Sequence, residues 1–156
     1  MTAGGAQRYN LTSYRVIYGD TDKMGVVYYA NYLRWFERGR TEFLRQVGVP
    51  YGVIEARGLH FPVVEANCRY AKPAHYEDLI LIETRLASAN RASLLFSYRI
   101  LREGEDAPLA TGSTKHACID TAGKILRIPG DLRQILQQAL EPETSSTPQE
   151  PSDQEA

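Results

Sequence analysis

Apolar and polar positions change rhythm several times along the chain. Tyr9 to Tyr18 reads as a first strand. From Asn31 to Val47 the period is helical: Tyr32, Phe36, Phe43 and Val47, flanked by Leu33 and Leu44, make one apolar stripe. Asn31 is placed to cap this helix, and Gly48 followed by Pro50 ends it. Arg38 and Glu42 are spaced to pair on its outer face. Gly39 sits in the helix interior, at a cost of about 1 kcal/mol against alanine. Either another backbone approaches closely there or the position simply tolerates glycine.

Beyond residue 60 the period drops to two. Val64, Ala66, Cys68 and Tyr70 alternate with Glu65, Asn67 and Arg69. Ile80, Ile82, Thr84 and Leu86 form one face of the next strand, and Leu94, Phe96, Tyr98 and Ile100 a face of the third. The turn Gly104-Glu105-Asp106 leads to a fourth strand over residues 109–119. Asp120-Thr121-Ala122-Gly123 then closes a hairpin onto a short strand at 124–128. Pro129 opens a terminal helix with Leu132, Ile135, Leu136 and Ala139 inward. A strand, a long helix and then a run of antiparallel strands is an α+β layout in which one helix covers one sheet.

Composition sets the limits of this domain. The chain has 156 residues, the length of one domain. Residues 1–8 are expected to form a flexible lead, 9–140 the folded domain and 141–156 a disordered tail. That tail is rich in Pro, Ser, Glu and Gln and has no large apolar residue. It carries five acids and no base, which leaves 14 acids against 18 bases in the rest, a body charge of +4. Fourteen of the 18 bases are arginine, the side chain best shaped for bidentate phosphate contacts. A mildly basic body suits a phosphorylated small ligand, while the charge is too weak and scattered for a nucleic-acid surface. No run approaches the roughly 18 apolar residues of a membrane span, and the first ten residues hold no apolar signal core. Cys68 and Cys118 stand 50 positions apart, which suits neither a disulfide framework nor a zinc site. They read as buried, reduced thiols of a cytoplasmic protein.

Chemistry concentrates between Tyr18 and Glu42, in Y-G-D-T-D-K-M-G-V-V-Y-Y-A-N-Y-L-R-W-F-E-R-G-R-T-E. Asp20 and Asp22 occupy the loop that joins the first strand to the helix, and Tyr28 and Tyr29 lie just before the helix. A helix N-terminus offers free N–H donors and a partial positive charge. A carboxylate beside such an end has what hydrolysis of a polarised carbonyl needs. An aspartate there is equally at home as a cap. The spacing of Asp20, Asp22 and Gly25 imitates the start of a calcium loop, but Met24 and Asn31 occupy positions that require oxygen-rich ligands and a bidentate glutamate. The three histidines, His60, His75 and His116, are scattered without metal-ligand spacing. No G-x-S-x-G elbow occurs, so a serine-hydrolase triad is disfavoured. No metal or redox cofactor is called for.

This same run resembles the signature of the hotdog-fold acyl-CoA thioesterases, of the 4-hydroxybenzoyl-CoA and Tol–Pal-cluster types. Y-A-K-P-A-H-Y-E-D-L-I-L-I-E-T, R-A-S-L-L-F-S-Y-R-I and R-I-P-G-D-L match further along, so the likeness covers residues 9–140. The resemblance implies a sheet wrapped around the long helix, homodimers with sheets edge to edge that often pair into tetramers, and active sites at the dimer interface. It implies Asp22 as general base or nucleophile and the Tyr29 N–H as oxyanion contact. Tyr28 and Tyr29 side chains are candidates to line the acyl pocket, with ordinary packing as the alternative. Asn31 and His60 are weaker substrate-binding candidates, Asn31 being better placed as a cap. Arg91 is the first candidate for the CoA phosphates, ahead of Arg69, Lys72 and Lys115. The implied reaction is hydrolysis of an acyl-CoA to carboxylate and CoA. The alternatives are an aromatic acyl-CoA (hydroxybenzoyl- or naphthoyl-like), an acyl-carrier-protein thioester, or a hotdog protein that binds acyl thioesters or a protein partner without turnover.

Overall fold

The computed structural model describes residues 8–140. The acidic tail and nearly all of the expected flexible lead lie outside the described residues. The chain runs β1 (Asn10–Arg15), α1 (Asn31–Gln46), α2 (Tyr51–Ala56), β2 (Val63–Tyr70), β3 (Leu79–Ala89), β4 (Ser93–Arg102), β5 (Ala110–Ala117) and α3 (Gly130–Gln138). The strands form one five-stranded antiparallel sheet in the order β1-β3-β4-β5-β2. α1 lies across one face, chiefly over β3 and β1.

Helix and sheet meet through rings and two glycines. Phe36 stacks on Tyr98 at 4.2 Å between ring centroids, and Phe43 meets Phe96 edge-on at 5.8 Å. Ile80, Ile82, Thr84 and Leu86 of β3 and Leu94, Phe96, Tyr98 and Ile100 of β4 are buried on this face, as their alternation predicts. Gly39 is buried because β3 leaves no room for more: a Cβ there would lie 2.1 Å from Thr84 Oγ1 and 2.8 Å from Ile82 Cγ2. The close approach is thus to sheet side chains and not to another backbone.

Several local expectations are corrected. β1 stops at Arg15, not Tyr18, and Tyr18–Asp20 form a 3-10 turn. The Asp20 carboxylate drives this by accepting the Ile17 N–H at 3.0 Å and the Tyr14 hydroxyl at 2.7 Å. Ala30, not Asn31, caps α1, because the Asn31 amide reaches back to the Asp20 carbonyl at 2.9 Å. Leu33 is exposed and Trp35 takes the inward place. Arg38 does not pair with Glu42: its guanidinium sits over the Tyr14 ring at 5.1 Å, and Glu42 bonds Arg45 one turn on. The short α2 has no counterpart among the expected elements. The strand expected at 124–128 reduces to a single bridge, Ile119 with Ile125, since the Ile128 N–H is drawn to the Arg91 carbonyl at 2.7 Å. In α3, Leu132 and Leu136 are buried while Ile135 is exposed.

β2 departs most from its pattern. Its alternation suggests one buried face, yet only Cys68 is even partly covered and Val63, Val64 and Tyr70 are exposed. α1 packs over the opposite end of the sheet, so this edge strand lacks a cover. Cys118 follows β5 and is buried, and both thiols are free.

A polar chain runs beneath α1. His116 Nδ1 faces the Phe61 carbonyl at 2.8 Å, and Nε2 faces Thr114 Oγ1 at 2.7 Å, which is 2.6 Å from the Tyr98 hydroxyl. A carbonyl can only accept, so Nδ1 carries the proton, Nε2 accepts from Thr114, and Tyr98 donates to Thr114. Burial first, and the nearby Arg40 charge, push the His116 imidazole below its ordinary range, against the hydrogen bond to Phe61. The unfolded chain therefore takes up a proton before the folded one does, and stability falls as pH drops through about 6.5. Urea unfolding at pH 7.5 and 5.5 is expected to show lower stability at the acid value. The difference should shrink in His116→Gln, and an unchanged difference would assign the effect to other groups.

Candidate active site

The loop after the 3-10 turn is shaped by its own backbone. The Asp22 N–H bonds the Val26 carbonyl at 2.9 Å, and the Gly25 N–H returns to the Asp22 carbonyl at 3.0 Å. Gly25 has φ +79°, a conformation that favours glycine. Thr21 and Val27 form an antiparallel bridge across the base of the loop. Asp22 thereby stands at the neck of a tight turn. Its Oδ1 accepts the Met24 N–H at 2.8 Å, and among the described residues Oδ2 has no protein donor.

The two acids have separated roles. Asp20 is buried, and both its carboxylate and its carbonyl are committed: the latter takes the Tyr28 N–H at 2.8 Å as well as the Asn31 amide. It clamps the 3-10 turn to the start of α1. Asp22 is only half-buried and opens on a cavity.

That cavity, of about 270 Å³, is lined by Asp22, Met24, Tyr29, Tyr32, Tyr70 and Lys72, among others. It lies where the Asp22 loop, the N-terminus of α1 and the end of β2 meet. Among the described residues the Tyr29 N–H, one residue before the Ala30 cap, has no backbone acceptor. The Val27 N–H bonds the Ala74 carbonyl at 2.9 Å, and the Ala74 N–H bonds the Tyr32 hydroxyl at 3.2 Å. The connection after β2 is thus stitched to both the loop and the helix. Burial pushes the Tyr32 hydroxyl above its ordinary range, so it stays protonated at neutral pH.

A larger cavity of about 370 Å³ flanks the first turns of α1, with Tyr14, Asp20, Asn31, Trp35 and Arg38 in its wall. Its buried acid is the clamped Asp20, so the smaller cavity is better equipped for chemistry. Among the described residues no group of three His, Cys, Asp or Glu side chains could hold a metal ion.

Of the residues singled out in the sequence, Asp22, Tyr29 and Lys72 share the smaller cavity. Tyr28 does not line it; its ring packs against Tyr29 at 4.6 Å. Asn31 faces the larger cavity. His60 bridges Ile119 through its backbone beyond α2, and Arg91 is exposed at the β3–β4 turn. Neither is in the wall beside Asp22. Tyr32, Tyr70 and Met24 were not anticipated here. Tyr32 begins the apolar stripe and Tyr70 ends the alternating run of β2, so both signals read as packing.

A long helix cradled by one antiparallel sheet is the architecture of the hotdog thioester hydrolases. The profile of the thioesterase-like superfamily matches residues 16–136, and the chain belongs to that family. It is 38% identical over 107 residues to the acyl-CoA thioesterase YbgC of Haemophilus influenzae, covering 68% of this chain and 77% of that one. A hypothetical protein from Thermus thermophilus, known as a crystal structure, superposes with a TM-score of 0.77 at 40% identity, over 83% of this chain and 95% of its own. The DHNA-CoA thioesterase of Staphylococcus aureus superposes with a TM-score of 0.79 at 30% identity, over 83% and 89% of the two chains. The sheet and central helix implied by the sequence resemblance are therefore those of the family, and the protein is a thioester hydrolase.

Proposed function

We propose that the protein hydrolyses an acyl-CoA thioester to a free carboxylate and CoA in the cavity beside Asp22. The observation that carries this reading is that Asp22 and Tyr29 line one cavity, Asp22 holding one carboxylate oxygen without a protein donor and Tyr29 an N–H without a backbone acceptor among the described residues. The thioester carbonyl accepts from the Tyr29 N–H, which stabilises the negative charge that grows on its oxygen. Asp22 then either takes a proton from an attacking water or attacks the carbonyl itself. The second route expels CoA thiolate and leaves a mixed anhydride that water opens. Label from ¹⁸O-water in the Asp22 carboxylate after a single turnover identifies the anhydride route with opening at the Asp22 carbonyl, since general-base catalysis leaves that carboxylate unlabelled. A panel of acyl-CoAs assayed with a thiol reagent tests the activity, and no CoA release from any of them would overturn it.

Aromatic acyl groups are the second reading. Tyr70 meets Tyr32 edge-on at 5.0 Å and Tyr29 at 6.4 Å, so three rings frame the cavity. The relative that acts on DHNA-CoA fits this reading. The nucleotide of CoA lies far from the thioester, so its cationic contacts belong outside the cavity. Arg91 is proposed there, with Lys72 at the cavity wall.

The proposal includes a homodimer, or a pair of dimers, in the cytoplasm. β2 is an edge strand with free backbone groups and exposed faces, the kind of edge that recruits another strand. Pairing there would set a second chain beside Tyr70 and the cavity. Among the described residues no helix is long and apolar enough to cross a membrane. Sedimentation is expected to give a dimer or tetramer, and a stable active monomer would refute this part.

A further inference from the structure

Tyr70 is the last residue of β2, 41 positions from the helix start that it touches. Its hydroxyl donates to the Tyr29 carbonyl at 2.8 Å. The other donor to that carbonyl, the Tyr32 N–H, is at 3.4 Å, a long contact. The ring packs edge-on against Tyr32 and Tyr29. Burial and then the neighbouring Cys68 thiol raise the hydroxyl well above the usual tyrosine range, so it remains a donor at any working pH.

Tyr29 has one backbone group on each side of its Cα. Its carbonyl is held by Tyr70, and its N–H is the unspent donor beside Asp22. Ala30, the next residue, caps α1 without a side-chain hydrogen bond. The cap position thus lacks a side-chain restraint, and the tyrosine from the edge strand holds the residue just before it. Fixing the carbonyl fixes the rotation about the Tyr29 Cα–C bond, and with it how the residue sits on the first turn.

We infer that Tyr70 is a positioning residue for thioester hydrolysis: its hydroxyl holds Tyr29 so that the Tyr29 N–H points at the reacting carbonyl. The inference rests on the proposed roles of Asp22 and Tyr29. It adds a link between the β2 edge and the oxyanion donor.

Tyr70→Phe removes the hydroxyl and keeps the ring. Misaiming the donor weakens the transition state more than the ground state. The expected loss in kcat is about tenfold, below the roughly 10²–10³ of removing an oxyanion donor outright. KM should change less than about twofold, as should the affinity for a non-cleavable ketone in which CH₂ replaces the thioester sulfur. Unchanged kcat would overturn the inference. So would equal losses in kcat and ketone affinity, which would make Tyr70 a substrate contact. A tyrosine fluorinated at every free ring position and placed at 70, acidic enough to bring even this raised hydroxyl into the working pH range, gives a second readout that does not depend on the phenylalanine variant folding. Turnover should approach wild type when the hydroxyl is protonated and fall as it ionises, because a phenolate cannot donate. A pH profile identical to wild type would reject the donor role. Asp22→Asn, assayed alongside, separates the two layers. If it is inactive and Tyr70→Phe is normal, only the Tyr70 inference fails. If it retains turnover, the site reading fails and takes this one with it.

Discussion

Asp22→Asn is expected to fold normally and to lose at least about 100-fold in kcat, the usual scale for a positioned base or nucleophile. Asparagine preserves the shape and still accepts the Met24 N–H through its side-chain oxygen, so the turn at Gly25 is kept. What it loses is the charge and basicity of the second oxygen, which has no protein donor among the described residues. A surface-facing substitution of this kind moves stability by less than about 0.5 kcal/mol, so the melting temperature should hold. Turnover within a few-fold of wild type would remove Asp22 from the mechanism.

Asp20→Asn supplies the contrast. Its carboxylate takes two hydrogen bonds, from Tyr14 and the Ile17 N–H, in a buried setting. Bonds to a charged acceptor are worth roughly 1.5–3 kcal/mol each in context. The variant should lose stability first, and activity only as the 3-10 turn loosens. Measuring melting temperature and kcat for both variants therefore separates the clamp from the reacting acid. Two acids two residues apart in one motif would otherwise be read as a pair.

Strands β3 and β4 are legible in the sequence because α1 covers one of their faces, so burial follows alternation along β4 and along β3 as far as Leu86, with the ion-paired Glu83 as the exception. The same alternation misleads at β2, where nothing within the chain covers the inward side. A period of two says that a face exists and not what meets it. Capping was misplaced for a related reason. Asn31 is a good cap residue by type, but its amide is better used on the Asp20 carbonyl eleven positions back, a partner that only the folded loop supplies. Trp35 lies beside the stripe through Tyr32 and Phe36 yet is buried, because its ring packs against both Tyr14 and Tyr32. The Asp22 loop was legible through its run of residues, while Tyr70 and Tyr32 were not, since a tyrosine in a strand or a stripe has packing as its first explanation. Tertiary proximity alone turns them into parts of the site.

Gly112→Ala is expected to be the most damaging single-methyl change in the described core. Gly112 of β5 faces Tyr98 of β4 on one side and Cys68 of β2 on the other. Phe36 stacks on Tyr98 and fills the space above the glycine. A Cβ there would lie 2.4 Å from the Asn67 carbonyl oxygen and 2.6 Å from two carbons of the Phe36 ring. At Gly39 the nearest atoms are ends of side chains, and Thr84 Oγ1, which is buried without a hydrogen-bond partner, can turn away. At Gly112 one of the obstacles is backbone, which cannot rotate aside without parting β2 from β5. Overpacking typically costs 1–3 kcal/mol, occasionally more; about 3 kcal/mol is expected here. For a domain of this size that corresponds to a melting temperature lower by about 10 °C. The strand that would be displaced carries Tyr70, so the variant at permissive temperature should also lose kcat, whereas Gly39→Ala should lose stability with turnover per folded molecule nearly kept. Thermal melts and kcat for the two variants check this, and a Gly112→Ala protein as stable as wild type would mean that β2 and Phe36 give way at little cost.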